Sequence, residues 1–313
     1  MALRLIRLPL VLAVLAVAGA TLHAAAERPS PAQADVAYGA HARQVFDLWL
    51  PAASAARPAP VLIYFHGGGF TSGDKRQVPD ALLRGAQSAG FAVVSVNYRL
   101  FPEVTFPAPH QDAARAVQTV RARAKEWGID PERVALGGSS AGAGLALWLA
   151  FHDDLAETAS DDPVARQSTR VRCAVVSGAQ PTYDPAAIRE LAGESAARHP
   201  LFERMFTAVD AADAPAVRAL FLAASPLTYL THDDPPVFAY YSEPWADVPP
   251  GSRAGQGIHH PKLGRHLQEK MTQLGLRCVL HHKDNDGPAL PAQLAFLQTH
   301  LFPSAPATPT RQP

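Results

Sequence analysis

With 313 residues, 48% of them hydrophobic, the chain has enough apolar material for one sizeable domain around a buried core. Lys plus Arg equals Asp plus Glu, 28 of each, so no strong overall field exists to draw in nucleic acid or an anionic membrane. No basic cluster interleaved with aromatics suggests a nucleic-acid groove either, and a neutral small molecule fits the composition better.

In chain order, residues 1–26 come first and read as an export signal. Arg4 and Arg7 give a basic start, Leu8 to Ala20 an apolar run, and Ala24-Ala25-Ala26 a small-residue cleavage site. The run is shorter than the roughly 20 residues that cross a bilayer, and no Cys near the cleavage site marks a lipid anchor. A mature, secreted or periplasmic chain beginning near Glu27, with no stable membrane insertion, is the expectation. The Ala- and Pro-rich segments 27–35 and 51–60 follow, and residues 303–313 (PSAPATPTRQP) read as a disordered tail behind a single domain over 27–302.

Within that domain, apolar runs suited to buried strands lie at Val61 to Phe65, Phe91 to Val96, Val134 to Leu136, Cys173 to Val176, Val237 to Tyr241 and Cys278 to Leu280. Helical stretches alternate with them at Pro79 to Ser88, His110 to Trp127, Ala141 to His152, Pro261 to Leu274 and Pro291 to His300. Such alternation predicts an α/β fold: a mainly parallel sheet, helices on both faces, and a site at the carboxyl ends of the strands. The stretch at about 186–223 breaks the alternation and reads as a small helical lid insertion carrying Phe202, Met205, Phe206, Leu220 and Phe221. Cys173 and Cys278 fall on two of these strands.

Two motifs carry chemistry. Gly138-Ser139-Ser140-Ala141-Gly142 matches G-x-S-x-G where a strand meets a helix, the setting of a nucleophile elbow whose strained turn tolerates only small neighbours. His66-Gly67-Gly68-Gly69-Phe70 directly follows another strand, and its glycines let backbone N–H groups approach a developing oxyanion. Each has an ordinary structural explanation alone, a helix N-cap or a glycine turn. Together, in this order, they point to acyl transfer from an ester to a serine, chemistry that requires no cofactor.

The segments YFHGGGFTSGDK, VSVNYRLFPE, FPAPHQDAARAV and GIDPERVALGGSSAGAGLALWLA resemble the hormone-sensitive-lipase-like and feruloyl-esterase-like branches of the α/β-hydrolase superfamily. The resemblance is close over residues 61 to 150. It implies an α/β-hydrolase fold, Ser140 as the acylated nucleophile, oxyanion-hole N–H groups from Gly68, Gly69 and Ala141, and structural roles for Asn97, Tyr98, Arg99 and Asp112. It also implies a small-molecule ester substrate, an acetyl or feruloyl ester of a carbohydrate being one refinement, and its strand order puts one strand between those of Cys173 and Cys278, too far for a disulfide, so both are expected as free thiols.

Beyond residue 225 the resemblance loosens. In this fold the order is nucleophile, acid, histidine. An ungapped count brings Trp245 to the acid's place, flanked by Glu243 and Asp247, and an insertion, DVPPGSRAGQGIHHP, follows. After the last strand, Asp286 stands where the family's histidine is expected. The candidate bases are therefore His259 and His260 in the insertion and His281 and His282 at the strand end. The preferred pairings use His260 or His282 as base with Asp286 or Asp247 as acid. The other readings are an impaired homologue that binds or scaffolds without turnover, and a metal site built from the four histidines, which no ligand spacing supports.

Overall fold

The computed structural model describes residues 27–53, 55–202 and 214–302. The export signal, the tail, Met205 and Phe206 lie outside the described residues. Eight strands form one sheet: β1 (Gln33–Ala37), β2 (Val45–Trp49), β3 (Ala59–Phe65), β4 (Ala92–Val96), β5 (Ile129–Ser139), β6 (Cys173–Ser177), β7 (Val237–Tyr241) and β8 (Cys278–His282). Their order is β1-β2-β4-β3-β5-β6-β7-β8, with β1 and β2 antiparallel and all pairs from β4 to β8 parallel. All six apolar runs became strands. The two added strands, β1 and β2, lie at one end of the sheet in the sequence before Val61. β1 (QADVA) buries only Val36, so it offers no apolar run to find.

The helices are α1 (Asp80–Ser88), α2 (Ala108–Ala122), α3 (Ala124–Trp127), α4 (Ala141–Phe151), α5 (Pro185–Ala192), α6 (Glu194–Ala197), α7 (Ala214–Ala224), α8 (Pro261–Gln273), α9 (Lys283–Asp286) and α10 (Ala289–Leu301). Strand alternation divides the core into two layers, because successive side chains leave opposite faces. Val61, Ile63 and Phe65 of β3 face the side packed by α2, α4 and α8. Leu62 and Tyr64 face α1 and α10 on the other. Every residue of α4 is buried, which explains why its sequence, AGAGLALWLAF, carries no polar stripe.

The insertion between β6 and β7 is helical where described, comprising α5, α6 and α7. Phe202 and Phe221 meet edge to face within it at 5.9 Å, and both are buried. They pack the insertion onto the body. Cys173 and Cys278 lie on β6 and β8 with β7 between them, both free, and burial pushes each thiol up to about 12. No helix among the described residues is long and apolar enough to cross a membrane.

β3 has β4 on one side and β5 on the other, although it precedes both in sequence. The sheet order reverses there, and the crevice outside the carboxyl ends of β3 and β5 is the natural place for a site. The turn that begins at His66 and the turn at Ser140 leave those two strand ends.

Candidate active site

The β5 strand delivers Ser140 at φ 51° and ψ −120°, a left-handed conformation uncommon for a residue with a side chain. What permits the turn is the absence of side chains on either side. A Cβ on Gly138 would lie 2.3 Å from the Gly142 carbonyl oxygen, and one on Gly142 would lie 2.1 Å from the Phe65 oxygen. The turn is braced by the Ser140 N–H, which donates to the Ser177 carbonyl at 2.9 Å. Ser140 Oγ is thereby raised over the strand ends at the start of α4.

The His66 turn is held from below. Buried His66 stacks on Tyr98 at 4.3 Å, and the Tyr98 hydroxyl donates to the His66 carbonyl at 2.8 Å. His66 Nδ1 lies 2.7 Å from the Gly67 carbonyl. Burial lowers the His66 pKa to about 4, which keeps the ring neutral. Further along, the Gly68 carbonyl accepts from the N–H groups of Thr71 and Ser72, and Gly68 sits at φ 116°. Behind the turn, Asp112 receives the Arg99 guanidinium at 2.7 Å, and Asn97 accepts from the Lys75 N–H at 2.6 Å. These contacts match the structural roles that the resemblance implied for Asn97, Tyr98, Arg99 and Asp112.

Facing the serine is His259. Its Nε2 lies 2.8 Å from Ser140 Oγ, and its Nδ1 lies 3.4 Å from Glu243 Oε1. Glu243 stands two residues past β7, where the fold's acid is expected, and the order Ser140, Glu243, His259 preserves nucleophile, acid, histidine. Gly178, at φ 58°, leaves room for the imidazole, since a Cβ there would meet His259 Cδ2 at 3.1 Å. A cavity of about 680 Å³ opens over the pair, lined by Gly67, Gly68, Gly69, Ser140, Ala141 and His259. Thr71, Ser72, Gln77, Gln180 and His199 add polar groups to it, and Leu201 and Ile258 an apolar portion.

This geometry corrects the preferred pairings. His260 caps α8 instead, accepting from the Lys262 N–H through Nδ1 and reaching the Ala246 carbonyl through Nε2 at 3.1 Å. His282 contacts the Glu243 carbonyl at 2.8 Å rather than the serine. Asp286 accepts from the His282 N–H, and Asp247 pairs with the exposed Lys262. His281 turns to the Gly287 carbonyl at 3.0 Å. The four histidines diverge, and no group of three or more metal-binding side chains occurs among the described residues. Trp245, at the ungapped position, packs its ring 5.4 Å from His282. Glu243 was visible only as a flank of that position, because counting without gaps sought the acid two residues too late.

A serine on a strained strand-to-helix turn, above a mainly parallel sheet and beside a glycine turn, defines the α/β-hydrolase class. More narrowly, the BD-FAE family model matches residues 46–251, and the chain belongs to that family. Esterase LipQ of Mycobacterium tuberculosis is 31% identical over 217 residues, which cover 69% of this chain and 49% of LipQ. A probable carboxylic ester hydrolase of the same organism, LipM, is 31% identical over 221 residues, covering 69% of this chain and 48% of LipM. The chain thus spans about half the length of these curated relatives. Among solved structures, a truncated carbohydrate esterase from gut microbiota shares the fold at a TM-score of 0.63 and 17% identity, covering 88% of this chain and 97% of that one.

Proposed function

We propose that the protein hydrolyses a small carboxylic ester through an acyl-enzyme on Ser140, with His259 as general base and acid and Glu243 as the carboxylate that orients it. The observation that carries the reading is the chain of contacts from Glu243 through His259 to Ser140 Oγ at the floor of the cavity. A serine hydroxyl is a weak nucleophile at its own pKa, and a base at 2.8 Å removes that obstacle. Ser140 Oγ passes its proton to His259 Nε2 and bonds to the ester carbonyl carbon. The oxyanion that forms is met by the N–H groups of Gly68, Gly69 and Ala141. His259 then returns the proton to the departing alkoxide, and a water molecule repeats the sequence to release the acid and free Ser140. No cofactor enters these steps.

The esterase relatives support the reaction class. The polar lining from Thr71, Ser72, Gln77 and His199 suits an ester whose alcohol side is hydroxylated, as in a carbohydrate ester. The impaired-homologue reading had a missing histidine as its main support, and His259 at 2.8 Å from Ser140 Oγ favours the enzyme reading over it. Export remains part of the proposal, on the basic and apolar residues 1–26; amino-terminal sequencing from the native host should begin near Glu27, and an intact Met1 in soluble cytoplasm would refute it.

A fluorophosphonate followed by peptide mapping tests the mechanism. The label should fall on Ser140, Ser140→Ala should abolish turnover of short p-nitrophenyl esters, and His259→Gln should lower kcat by roughly 10³-fold or more. Glu243→Gln should cost less, because the carboxylate only orients and stabilises the ring. A label elsewhere, or undiminished turnover by Ser140→Ala, overturns the proposal.

A further inference from the structure

The acid and the base both stand on the segment that leaves β7 and returns as α8. From Glu243 to His260 this segment contains turns but no helix or strand, and Gly251, Gly255 and Gly257 all adopt positive φ in it. Backbone of that kind has no ladder of its own to hold a side chain within a fraction of an ångström, yet a misplacement of about 1 Å can cost about 100-fold in rate. The segment's own bonds close short turns, Ile258 N–H to the Gly255 carbonyl and His260 N–H to the Gly257 carbonyl, and the rest of the hold comes from outside it.

Ser195 holds the middle of the segment, its hydroxyl donating to the Ser252 carbonyl and its own carbonyl accepting from the Gly255 N–H, and two other buried side chains hold it beside the base and the acid. Gln180, 1% exposed and just beyond β6, directs its Nε2 amide to the Ile258 carbonyl at 2.9 Å and to the Gly178 carbonyl at 2.9 Å. Ile258 immediately precedes the base, and Gly178 is the residue against which the base's ring lies. His282, also 1% exposed and the last residue of β8, reaches the Glu243 carbonyl through Nε2 at 2.8 Å. Its Nδ1 accepts from the Asp284 N–H, so the ring's proton sits on Nε2 and the contact to Glu243 is a donated hydrogen bond. The β6 and β8 ends thus grip the two sides of the segment, one at the base and one at the acid.

We infer that Gln180 and His282 are positioning residues, which set the His259–Ser140 and His259–Glu243 distances by clamping the Ile258 and Glu243 carbonyls; this rests on reading His259 and Glu243 as base and acid. His282 occupies the strand end from which a catalytic histidine was expected, and here it holds the acid that a histidine elsewhere uses.

The test uses the full chain. Gln180→Met and His282→Leu keep similar bulk and remove the donors, while His282→Gln restores an N–H donor at similar reach. Rates are normalised to the sites titrated by fluorophosphonate, so unfolded protein is not counted as slow enzyme. Both donor-free variants should lose about 10- to 100-fold in kcat with KM within about threefold, and His282→Gln should recover most of that loss. His282→Leu should also cost little in a Glu243→Gln background, since its effect passes through that carboxylate. If one variant does not fold, the other carries the test. Lower melting temperature with kcat per titrated site unchanged would overturn the inference. Full activity in His259→Gln would instead sink the underlying reading, and an inactive His259→Gln beside unaffected Gln180→Met and His282→Leu would sink only the clamp.

Discussion

The two glycines expected to serve the oxyanion differ in what they can tolerate. Gly68, at φ 116°, would place a Cβ 2.2 Å from the Ser72 carbonyl oxygen, a clash with backbone that no side-chain movement relieves. Gly69, at φ 58°, would place its Cβ no nearer than 3.9 Å from His199 Cε1. Gly68→Ala should therefore disrupt the turn and remove activity. Gly69→Ala should fold at a cost of about 1–2 kcal/mol for the left-handed conformation, retaining measurable turnover. Thermal melts with kcat/KM for the two variants check this, and equal behaviour would contradict it. The sequence showed that this turn needs glycines but could not separate the two, since both read as φ-permissive positions. It likewise brought His259 and His260 forward and preferred His260, whereas His259 is the one that meets Ser140 Oγ. Neighbours in a turn point in different directions, and the cap that His260 makes on α8 takes it out of contention.

At the scale of elements, the elbow is a contact between a strand end and a helix start. A Cβ on Gly142 would meet the Phe65 oxygen at 2.1 Å and the His66 oxygen at 2.4 Å, so α4 could accept it only by moving off the end of β3. That end leads directly into the His66 turn. Gly142→Ala should thus weaken the fold by more than the 1–3 kcal/mol usual for overpacking and also slow whatever enzyme remains folded. Gly137→Ala, one strand position before Gly138, meets only side chains, the nearest being Leu62 Cδ1 at 3.1 Å, and should be milder. Urea midpoints and active-site titration of the two variants separate them; indistinguishable midpoints would refute the account. The elbow was legible in sequence because its requirement is local, two glycines around a serine between a strand and a helix. β1 was illegible because its pairing to β2, not its own composition, makes it a strand.

The whole molecule should weaken in acid before its carboxylates titrate in bulk. His110 is enclosed by Phe70, Phe106 and Trp148, and neither of its ring nitrogens has a hydrogen-bond partner among the described residues. Burial lowers its pKa to about 3, as it lowers that of His66 to about 4. In the unfolded chain both would titrate near the ordinary 6.5. Between these limits the unfolded state binds more protons than the folded one. Stability is therefore full above about pH 6.5 and falls as pH drops toward 4, by about 1.4 kcal/mol per pH unit for each proton involved. The urea midpoint should fall over that window, and His110→Phe should flatten the fall. A midpoint independent of pH there would exclude the effect.

Sequence by itself determined the periodic parts of this protein: six buried strands, the helices between them, the serine elbow and the glycine turn. Each is specified within a few residues, by hydrophobic spacing or by the steric demand of one tight turn. The separation of Cys173 and Cys278 by one strand came from the family's strand order, which the resemblance implied. Only the tertiary structure decided which histidine faces Ser140 and which carboxylate faces that histidine. Those choices rest on contacts between β6, β7, β8 and an irregular segment far from Ser140 in sequence: Gln180 to the Ile258 carbonyl, His282 to the Glu243 carbonyl, His260 to the Ala246 carbonyl. Such a segment carries no periodicity, and the direction of each of its side chains is set by which buried donor finds which carbonyl once the sheet has formed.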